Sequence, residues 1–384
     1  MNILFYENGI NPLKGGVERV SFTVAKHLQQ YDIISYACYL ATEQDTVISK
    51  TVFKEILFLP EQTNKSREIL TAFLKNNNIS VIINQKAEKQ TVSFLREATA
   101  NTNIRIYTFL HTSPTASRDV LHMRDWRFPV HTIRSIAKEL LYHIYQFDYI
   151  NQKQVYKNSD KIVLLSSQFI SDFCINAQCK DLSKIYVIPN IATYSLQETT
   201  TVNLKQKKKL IISVSRMGET PKRVSQILDL WEQVMDLLPD WKFILIGNGP
   251  DLPIYEKIAL KSKLKNIQFV GYDDPYKYYQ EASVFLSASA TEGFGMTTIE
   301  AQQMGVVPIV MDNYKVLHDL IENGINGCIT KKNDLEDFAS TLLTICKNDE
   351  LRYQLAQQAM ISSQIFLPEH IIPYWLKLLK QDNE

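Results

Sequence analysis

The sequence has no long apolar run and no excess of charge of either sign. No hydrophobic stretch approaches the roughly 18 to 20 residues that a membrane-spanning helix needs, and the N-terminus begins with a strand-like segment instead of a signal peptide. The 42 Lys and Arg residues are balanced by 41 Asp and Glu residues. A net charge of +1 excludes a nucleic-acid-binding protein that depends on a strongly basic surface.

Cysteine is scarce as well. The number is odd, and the spacing contains no C-x2-C pair of the kind that zinc sites use: Cys38, Cys174, Cys179, Cys328 and Cys346. We expect these side chains to be reduced, buried thiols in a cytoplasmic protein, not disulfides or catalytic groups.

The chain does have enough apolar material for two cores. It holds 384 residues, of which 45% are hydrophobic, and this length suits two domains of ordinary size. Residues 1–195 carry 22 basic against 17 acidic side chains, whereas residues 196–384 carry 20 against 24. The two halves are therefore expected to face different partners.

Short apolar runs alternate with amphipathic stretches along the whole chain, which is typical of parallel sheets covered by helices on both faces. The predicted strands of the first half are Asn2–Tyr6, Ile33–Tyr39, Val81–Asn84, Arg105–Leu110, Lys161–Leu165 and Ile185–Ile188. Those of the second half are Leu210–Val214, Trp241–Ile246, Ile267–Val270, Ser283–Ser287 and Val307–Val310. The pattern predicts an α/β protein with two Rossmann-like, doubly wound domains.

A polar, aperiodic segment separates the two patterns. We predict an N-terminal domain over residues 1–192 and a C-terminal domain over residues 210–364, joined by a linker at about residues 191–209. The basic run Lys205–Lys209 is interpreted as a solvated edge of this linker. The apolar tail at 365–384 either completes the second domain or returns to the first.

The strongest motif lies at residues 292–300 and reads Glu-Gly-Phe-Gly-Met-Thr-Thr-Ile-Glu, between a predicted strand and a predicted helix. Gly293 and Gly295 allow the backbone to approach a ligand closely. The N–H groups at the helix start suit a diphosphate or a sugar hydroxyl. Glu292 lies in the loop and Glu300 in the first helical turns, where a carboxylate can accept hydrogen bonds from a diol. The alternative is an ordinary turn with two exposed acids.

Two cations follow the predicted strand Leu210–Val214. Arg216 lies where the strand ends, and Lys222 precedes a predicted helix. In a doubly wound domain, this edge of the sheet is where ligands bind. Two cations there suit the negative charge that gathers on a diphosphate leaving group. The alternative is a surface pair that contributes little.

Weaker signals follow other strands. Gly15 and Gly16 stand in a glycine-containing loop after the first strand, although the loop is not G-x-G-x-x-G. His111 stands where another strand ends and is a candidate hydrogen-bond donor to a substrate oxygen. Gly247 forms a turn after a strand, and Gly271 would let a flat base lie beside Tyr272. An ordinary turn is the alternative at each glycine.

Cations and aromatic residues mix between residues 117 and 138. This composition would suit an anionic acceptor or a membrane surface. The stretch 132–150 is more simply interpreted as a helix with charges facing water and an apolar stripe facing a core: Ile133, Ile136, Ala137, Leu140, Leu141 and Ile144. Residues 117–128 are interpreted either as a mobile loop or as a binding segment.

Taken in order, these segments resemble glycosyltransferase family 4, whose members have the GT-B fold. The resemblance covers most of the chain. Its E-x7-E pattern is met by Glu292 and Glu300, and its strand-Arg-loop-Lys pattern by Arg216 and Lys222. Arg223 stands where the family often has glycine, so either neighbouring cation is a candidate for the phosphate.

The resemblance implies two domains with an interdomain cleft and transfer of a sugar from a nucleotide-sugar donor with retention of configuration. It implies that Arg216 and Lys222 neutralise the diphosphate, that Glu300 holds the ribose and that Glu292 contacts the sugar. The remaining implied contacts are backbone groups of Gly293, Phe294, Gly295 and Met296 to the sugar and phosphate, Tyr272 to the base, Gly16 to the phosphate and His111 to the sugar. It also implies that the tail 365–384 returns to the first domain.

From this resemblance we expect a hexosyltransferase that uses a UDP-sugar and a glycan or lipid-linked acceptor in surface polysaccharide synthesis. No Asp-x-Asp occurs in the sequence, so we expect no metal and no other cofactor. We expect a cytoplasmic location, with peripheral contact to the inner membrane face through the N-terminal domain. The alternatives are a non-catalytic partner subunit with the same fold and a nucleotide-sugar epimerase.

Overall fold

The chain folds into two units, each built on its own parallel β-sheet, in a computed structural model. The structure describes residues 1–12, 15–40, 52–121, 123, 125–145 and 147–380. Unit 1 comprises Met1–Thr115, Tyr145–Thr193 and Pro368–Glu384, and unit 2 comprises Ala116–Ile144 and Tyr194–Leu367. This division differs from the sequence-based boundary, which placed Ala116–Ile144 in the first domain.

Within the described residues, the strands are β1 Asn2–Glu7, β2 Ile34–Leu40, β3 Ile56–Leu59, β4 Val81–Asn84, β5 Arg105–Leu110, β6 Lys161–Leu164, β7 Ile185–Val187, β8 Leu210–Val214, β9 Lys242–Ile246, β10 Ile267–Phe269, β11 Val284–Ser287, β12 Val307–Met311 and β13 Cys328–Thr330.

The α-helices in the same residues are α1 Gly16–Leu28, α2 Asn64–Asn76, α3 Lys89–Ala98, α4 Ala116–Asp119, α5 Pro129–Tyr145, α6 Phe147–Asn158, α7 Ile170–Ala177, α8 Leu196–Thr200, α9 Glu219–Lys222, α10 Val224–Val234, α11 Leu252–Lys261, α12 Tyr276–Glu281, α13 Met296–Gln303, α14 Leu317–Leu320, α15 Leu335–Lys347, α16 Asp349–Ser362 and α17 Pro368–Lys380.

The predicted α/β architecture with two doubly wound parallel sheets is confirmed. The strand order in unit 1 is β3-β2-β1-β4-β5-β6-β7, and in unit 2 it is β10-β9-β8-β11-β12-β13. The central strands are buried on both faces because helices cover both sides, as in β4, whose four residues are all buried. Each sheet reverses its strand order once, between β1 and β4 in unit 1 and between β8 and β11 in unit 2.

The C-terminal helix α17 belongs to unit 1, where it contacts α1. Its Trp375 is 2% exposed, and its ring stacks on Phe109 with centroids 4.6 Å apart. Phe5 of β1 lies on the same indole at 6.2 Å. Such aromatic pairs contribute about 0.5 to 1.5 kcal/mol beyond the apolar area they bury. The apolar tail therefore covers the central strands of the first sheet.

The expectation that α5 buries an apolar stripe is wrong. Ile133, Leu140 and Leu141 are exposed, whereas the polar side chains of Thr132 and Ser135 are buried. The Thr132 hydroxyl donates to the Asp125 carbonyl at 2.7 Å, and the Ser135 hydroxyl donates to the Leu121 carbonyl. These bonds turn the polar face of the helix inward, because the segment before it presents backbone carbonyls that need donors.

The basic run Lys205–Lys209 is only partly the solvated edge that its composition suggests. The Lys207 ammonium donates to the backbone carbonyls of Tyr279 and Met304, each at 2.6 Å, and burial lowers its pKa to about 7. Lys208 instead forms an exposed ion pair with Glu281. One lysine of the run therefore ties this segment to unit 2.

Candidate functional site

The reversal of strand order in unit 2 creates a crevice at the carboxyl ends of β8 and β11. In open α/β sheets, ligands bind at such switch points because the loops after the two strands diverge there. The loop after β8 carries Arg216 and leads into α9, which ends at Lys222. The loop after β11 carries Glu292 and the two glycines of the E-x7-E motif. The topology therefore brings the two strongest sequence motifs to the same edge of one sheet.

Hydrogen bonds to the end of β9 hold the β8–α9 loop in place. The Met217 N–H donates to the Asn248 carbonyl at 3.0 Å, and the Met217 side chain is fully buried. Gly247 has φ +134°, and a Cβ at this position would lie 1.9 Å from the Ser215 carbonyl oxygen. Glycine is required at Gly247 because two backbone segments approach each other there. The anchored loop leaves the Arg216 side chain exposed.

An ion pair joins the two loops. The Lys222 ammonium lies 2.5 Å from a Glu292 carboxylate oxygen, with side chains 23% and 17% exposed. The Ala290 N–H also donates to the Pro221 carbonyl at 2.9 Å, which fixes the backbones on which the two side chains stand. Lys222 and Glu292 therefore contact each other across the two loops. Within the described part of the chain, the Arg216 side chain forms no hydrogen bond or ion pair, although its backbone carbonyl accepts the Gly218 N–H at 2.8 Å.

The glycine-rich loop leads directly into the N-terminus of α13. Gly295 precedes the helix with φ +91°, a left-handed conformation that favours glycine, and a Cβ there would lie 3.0 Å from a Leu320 methyl. Phe294 is buried, with its ring edge-on to Phe366 at 5.5 Å. The first turn of a helix leaves backbone N–H groups without intrahelical partners, so Met296 begins a segment able to bind an anion or a hydroxyl.

The second acid of the motif is buried inside unit 2. Glu300 is 4% exposed and accepts a hydrogen bond from the Tyr279 hydroxyl at 3.3 Å. The same hydroxyl lies 3.2 Å from the Thr297 carbonyl oxygen. Tyr279 thus connects α12 to the first turn of α13 and orients the carboxylate.

The candidate base-binding segment lies at the end of β10. Gly271 has φ +71°, and its carbonyl accepts the Gly247 N–H at 2.7 Å, so the two predicted glycine turns contact each other. Tyr272 is 71% exposed. The Tyr272 ring lies at the carboxyl end of this sheet, and a flat ligand can stack on its exposed face.

Lys222 and Arg223 point to different surroundings. Arg223 has φ +53°, and its guanidinium donates to the Asn333 side-chain oxygen at 2.7 Å. Burial lowers the pKa of Arg223. Arg223 lines a cavity of about 430 Å³ in unit 2. Lys222, through its pair with Glu292, is the neighbour that faces the E-x7-E loop.

A buried hydrogen-bond network that the sequence analysis missed supports this arrangement. Glu219, at the start of α9, accepts bonds from the hydroxyls of Ser225 at 2.7 Å and Tyr255 at 3.0 Å, and burial raises its pKa. The Glu219 N–H donates to an Asp251 carboxylate oxygen at 2.7 Å, and His131 lies 2.8 Å from the same oxygen. In the sequence, only the acid next to Gly218 indicates this network, because the hydrogen-bond partners of Glu219 come from separate helices.

In unit 1, His111 lies at the end of β5, two residues after Phe109. Its Nε2 is 2.6 Å from the Gln85 side-chain oxygen, and Gln85 donates to the Ser21 hydroxyl at 3.0 Å. Burial lowers the pKa of His111 to about 4, so the ring is neutral at pH 7. Nε2 is therefore the donor to Gln85, and Nδ1 is an acceptor with no hydrogen-bond partner in the described residues. In this tautomer, Nδ1 carries no proton to donate to a substrate oxygen.

The glycine loop after β1 is described only in part. Gly15 precedes α1 in an extended conformation, and Gly16 is the first helical residue. A Cβ at Gly16 would have no atom within 4 Å, so no close packing explains this glycine. Leu13 and Lys14 lie outside the described residues.

The described residues contain neither a metal-binding cluster nor a membrane-spanning helix. Over the described ranges, no group of three or more His, Cys, Asp or Glu side chains is arranged to hold a metal ion. In the same ranges, no helix has the length and apolarity required to traverse a bilayer.

Comparison with known proteins places the candidate site within a recognised family segment. Residues 197–361 match the family described as glycosyl transferases group 1. The α-monoglucosyldiacylglycerol synthase of Acholeplasma laidlawii is 30% identical over 172 residues, which cover 44% of this chain and 42% of that protein. The poly(glycerol-phosphate) α-glucosyltransferase of Bacillus subtilis strain 168 is 21% identical over 264 residues, 68% of this chain and 37% of that protein. The chain thus spans less than half the length of these two relatives.

Solved structures match both units together. Sucrose-phosphate synthase from Thermosynechococcus elongatus has a TM-score of 0.78 at 15% identity, covering 100% of this chain and 99% of that chain. HepE from Anabaena, solved in complex with UDP-glucose, has a TM-score of 0.73 at 16% identity, covering 99% and 100%. At sequence identities of 15% and 16%, the structural similarity establishes the fold alone. Residues 197–361 therefore match the group 1 glycosyl transferases, and the chain has the GT-B-type fold of solved glycosyltransferases.

Proposed function

We propose that this protein is a retaining glycosyltransferase that moves a hexosyl group from a UDP-sugar to a glycan or lipid-linked acceptor in surface polysaccharide or glycolipid synthesis. The observation that carries the proposal is the Lys222–Glu292 pair at the switch point of unit 2, inside the matched segment 197–361. Relatives named as an α-monoglucosyldiacylglycerol synthase and a poly(glycerol-phosphate) α-glucosyltransferase support the class of reaction.

The donor diphosphate is proposed to lie between the β8–α9 loop and the N-terminus of α13. Lys222 is held there by its pair with Glu292, and the exposed Arg216 guanidinium extends from the same loop. A charge-assisted hydrogen bond contributes about 1.5 to 3 kcal/mol. If both bonds strengthen as the leaving group gains charge, the two cations together lower the barrier by roughly 3 to 6 kcal/mol, or about two to four decades of rate.

The remaining donor contacts follow from the same loops. Backbone N–H groups from Gly293 to Met296 would bind the sugar and phosphate, and Glu292 would contact the sugar while keeping Lys222 in place. The Glu300 carboxylate, oriented by Tyr279, would accept hydrogen bonds from the ribose diol. Tyr272 would lie beside the base, near the Gly247 and Gly271 turns.

Unit 1 is proposed to supply the acceptor side and two further donor contacts. Gly16 is the first residue of α1, and a Cβ there would have no atom within 4 Å; we propose that a phosphate approaches its N–H. His111 lies at the end of β5 with a neutral ring, and we propose that this ring contacts the donor sugar.

In the proposed reaction, the bond between the anomeric carbon and the diphosphate oxygen breaks, and a bond from the acceptor oxygen to that carbon forms on the same face. The acceptor proton passes to the departing phosphate oxygen, so no protein nucleophile is needed. Arg216 and Lys222 provide the positive charge that a divalent ion provides in other transferases. We propose that the protein uses no metal and acts in the cytoplasm, at the inner membrane face when its acceptor is lipid-linked.

A thermal-shift panel of nucleotides and UDP-, GDP- and ADP-sugars tests donor binding, because a ligand at 100 times its Kd stabilises the folded state by about 2.7 kcal/mol. Incubation of the best donor with purified chain, followed by product analysis, then tests the reaction. Release of UDP with sugar transferred to water or acceptor supports the proposal. An epimerised donor would identify the epimerase alternative, and binding without turnover would identify a non-catalytic subunit.

A further inference from the structure

Helix α5 presents an apolar stripe to solvent. Trp126 just before the helix is 70% exposed, and within it Ile133 and Leu140 are 59% and 67% exposed. Val130 and Leu141 are exposed as well. At about 100° per residue, the four side chains within the helix fall within an arc of about 100° on one side of its axis. A contiguous apolar surface of this kind marks an interaction site, since soluble proteins rarely expose one.

The opposite face explains why the stripe cannot turn inward. Thr132 and Ser135 are buried, with their hydroxyls bonded to backbone carbonyls of the segment before the helix. Phe128 at the helix start is 1% exposed and lies 5.3 Å from the Tyr255 ring. Burying the stripe against unit 2 would break these bonds and expose Phe128. The helix therefore displays its apolar side in the folded unit.

The charges beside the stripe point to the nature of its partner. Arg134 and Lys138 are exposed and flank one border of the stripe, at about 20° and 60° beyond Leu141 on the helical wheel. Glu139, the acid of this helix, lies about 160° away from Leu141, on the opposite side. Among the residues of α5, no acid borders the stripe to balance these cations against a second copy docked there. An anionic surface would neutralise them.

We propose that α5 lies on an anionic lipid bilayer, with its apolar stripe in the interface and with Arg134 and Lys138 at the lipid headgroups. The inference deepens the proposed function, because it assigns a surface for reaching a lipid-linked acceptor. With 17 residues, α5 is about 25 Å long, and its polar face remains bonded to the protein. The helix therefore lies in the plane of the interface, as amphipathic interfacial helices do.

The test uses full-length chain and vesicles of phosphatidylcholine alone or with phosphatidylglycerol. We expect the wild-type protein to float with the anionic vesicles and much less with the neutral ones. Ile133→Asp with Leu140→Asp should lower the bound fraction by about tenfold or more. Removal of Arg134 or Lys138 by alanine should lower it by about fivefold each, and high salt should remove that difference. Leu260→Asp, at a residue that is 79% exposed on α11, is the matched control and should bind like wild type.

Tryptophan fluorescence gives a readout that folding defects do not imitate. Trp126 is exposed, whereas Trp231, Trp241 and Trp375 are at most 3% exposed. Anionic vesicles should shift the emission to shorter wavelength in wild type and not in Trp126→Phe. Absence of flotation with anionic vesicles would overturn the inference, as would equal loss in Leu260→Asp. A dimer dispersed by Ile133→Asp, without vesicle binding, would identify a second copy instead. Nucleotide-induced thermal shifts on the same samples test the proposed function separately.

Discussion

Replacement of Lys222 by alanine should slow donor turnover more than it weakens donor binding. Lys222 lies 2.5 Å from Glu292, in a pair whose side chains are 23% and 17% exposed, so the cation is already fixed before a donor arrives. Its hydrogen bond to the departing phosphate gains strength only as charge develops. Loss of a charge-assisted bond of about 1.5 to 3 kcal/mol corresponds to a fall in kcat of roughly 10- to 150-fold. Because the effect is confined to the transition state, KM should change by less than about threefold.

The assay is release of nucleoside diphosphate under donor saturation, with Lys222→Arg as the variant that keeps the charge. Lys222→Arg should recover most of the lost rate. Lys265→Ala removes an exposed cation whose pair with Asp236 spans 2.7 Å in the same unit, and it should leave turnover unchanged. Turnover by Lys222→Ala within about twofold of wild type would refute the reasoning.

A double-mutant cycle separates direct action on the phosphate from support of Glu292. If Lys222 acts on the leaving group, Lys222→Ala should still cost about tenfold or more in a Glu292→Gln background. If Lys222 only orients Glu292, the second substitution should have no further effect. That outcome would make Lys222 a positioning residue.

Three further predictions address binding, backbone geometry and pH. Glu300→Ala should weaken UDP binding by roughly 10- to 100-fold in calorimetric titration, since it removes the proposed acceptor of the ribose hydroxyls, and unchanged affinity would contradict that role. Gly247→Ala should lower the free energy of unfolding of unit 2 by about 2 kcal/mol or more in urea denaturation, because a Cβ would lie 1.9 Å from the Ser215 carbonyl oxygen. Gly218→Ala is the control and should be nearly neutral, because its Cβ would meet its nearest atom at 3.7 Å. Burial lowers the pKa of His111 to about 4 in the folded state, so the unfolded state binds the proton at higher pH. The free energy of unfolding should therefore fall as pH drops from about 6.5 towards 4. The Tm of His111→Gln should fall less over this pH range.

Most strands could be predicted from the sequence, because a buried parallel strand is a nearly continuous apolar run. The prediction missed β3 and β13, which comprise only four and three residues at the edges of their sheets. The edge strands β7 and β10 have three residues each and are predicted, and β3 is the apolar run Ile-Leu-Phe-Leu, so neither length nor edge position explains the two omissions. Unit 2 also takes Ala116–Ile144 from a distant part of the chain, and no local composition marks such an assignment.

The site residues that could be predicted from the sequence are those in the loop or helix that follows a single recognisable strand. Arg216 and Lys222 lie in the segment that follows β8, and Glu292 lies in the segment that follows β11; strand order then decides that these segments meet. Strand order is not visible in hydrophobic periodicity. The Glu219 network has partners 6 and 36 residues away, so only the folded chain reveals it.

Helix α5 shows the limit of periodicity most clearly. Its apolar residues recur at helical spacing, and this correctly indicates a helix with two unlike faces. Which face turns inward depends on the neighbours: Thr132 and Ser135 are buried because carbonyls of the preceding segment need donors. The periodicity of apolar residues identifies an apolar stripe on the helix. Only the surrounding structure decides whether that stripe packs against the protein or faces its environment.

Amide hydrogen exchange with and without the nucleotide sugar that stabilises the chain most is the measurement that tests the central claim most directly. The account predicts slower exchange in residues 215–222 and 292–300, the two loops joined by Lys222 and Glu292, and loss of that protection in Glu300→Ala. Protection confined to other segments, or no protection with any nucleotide sugar, would contradict the claim that an activated sugar binds at this switch point.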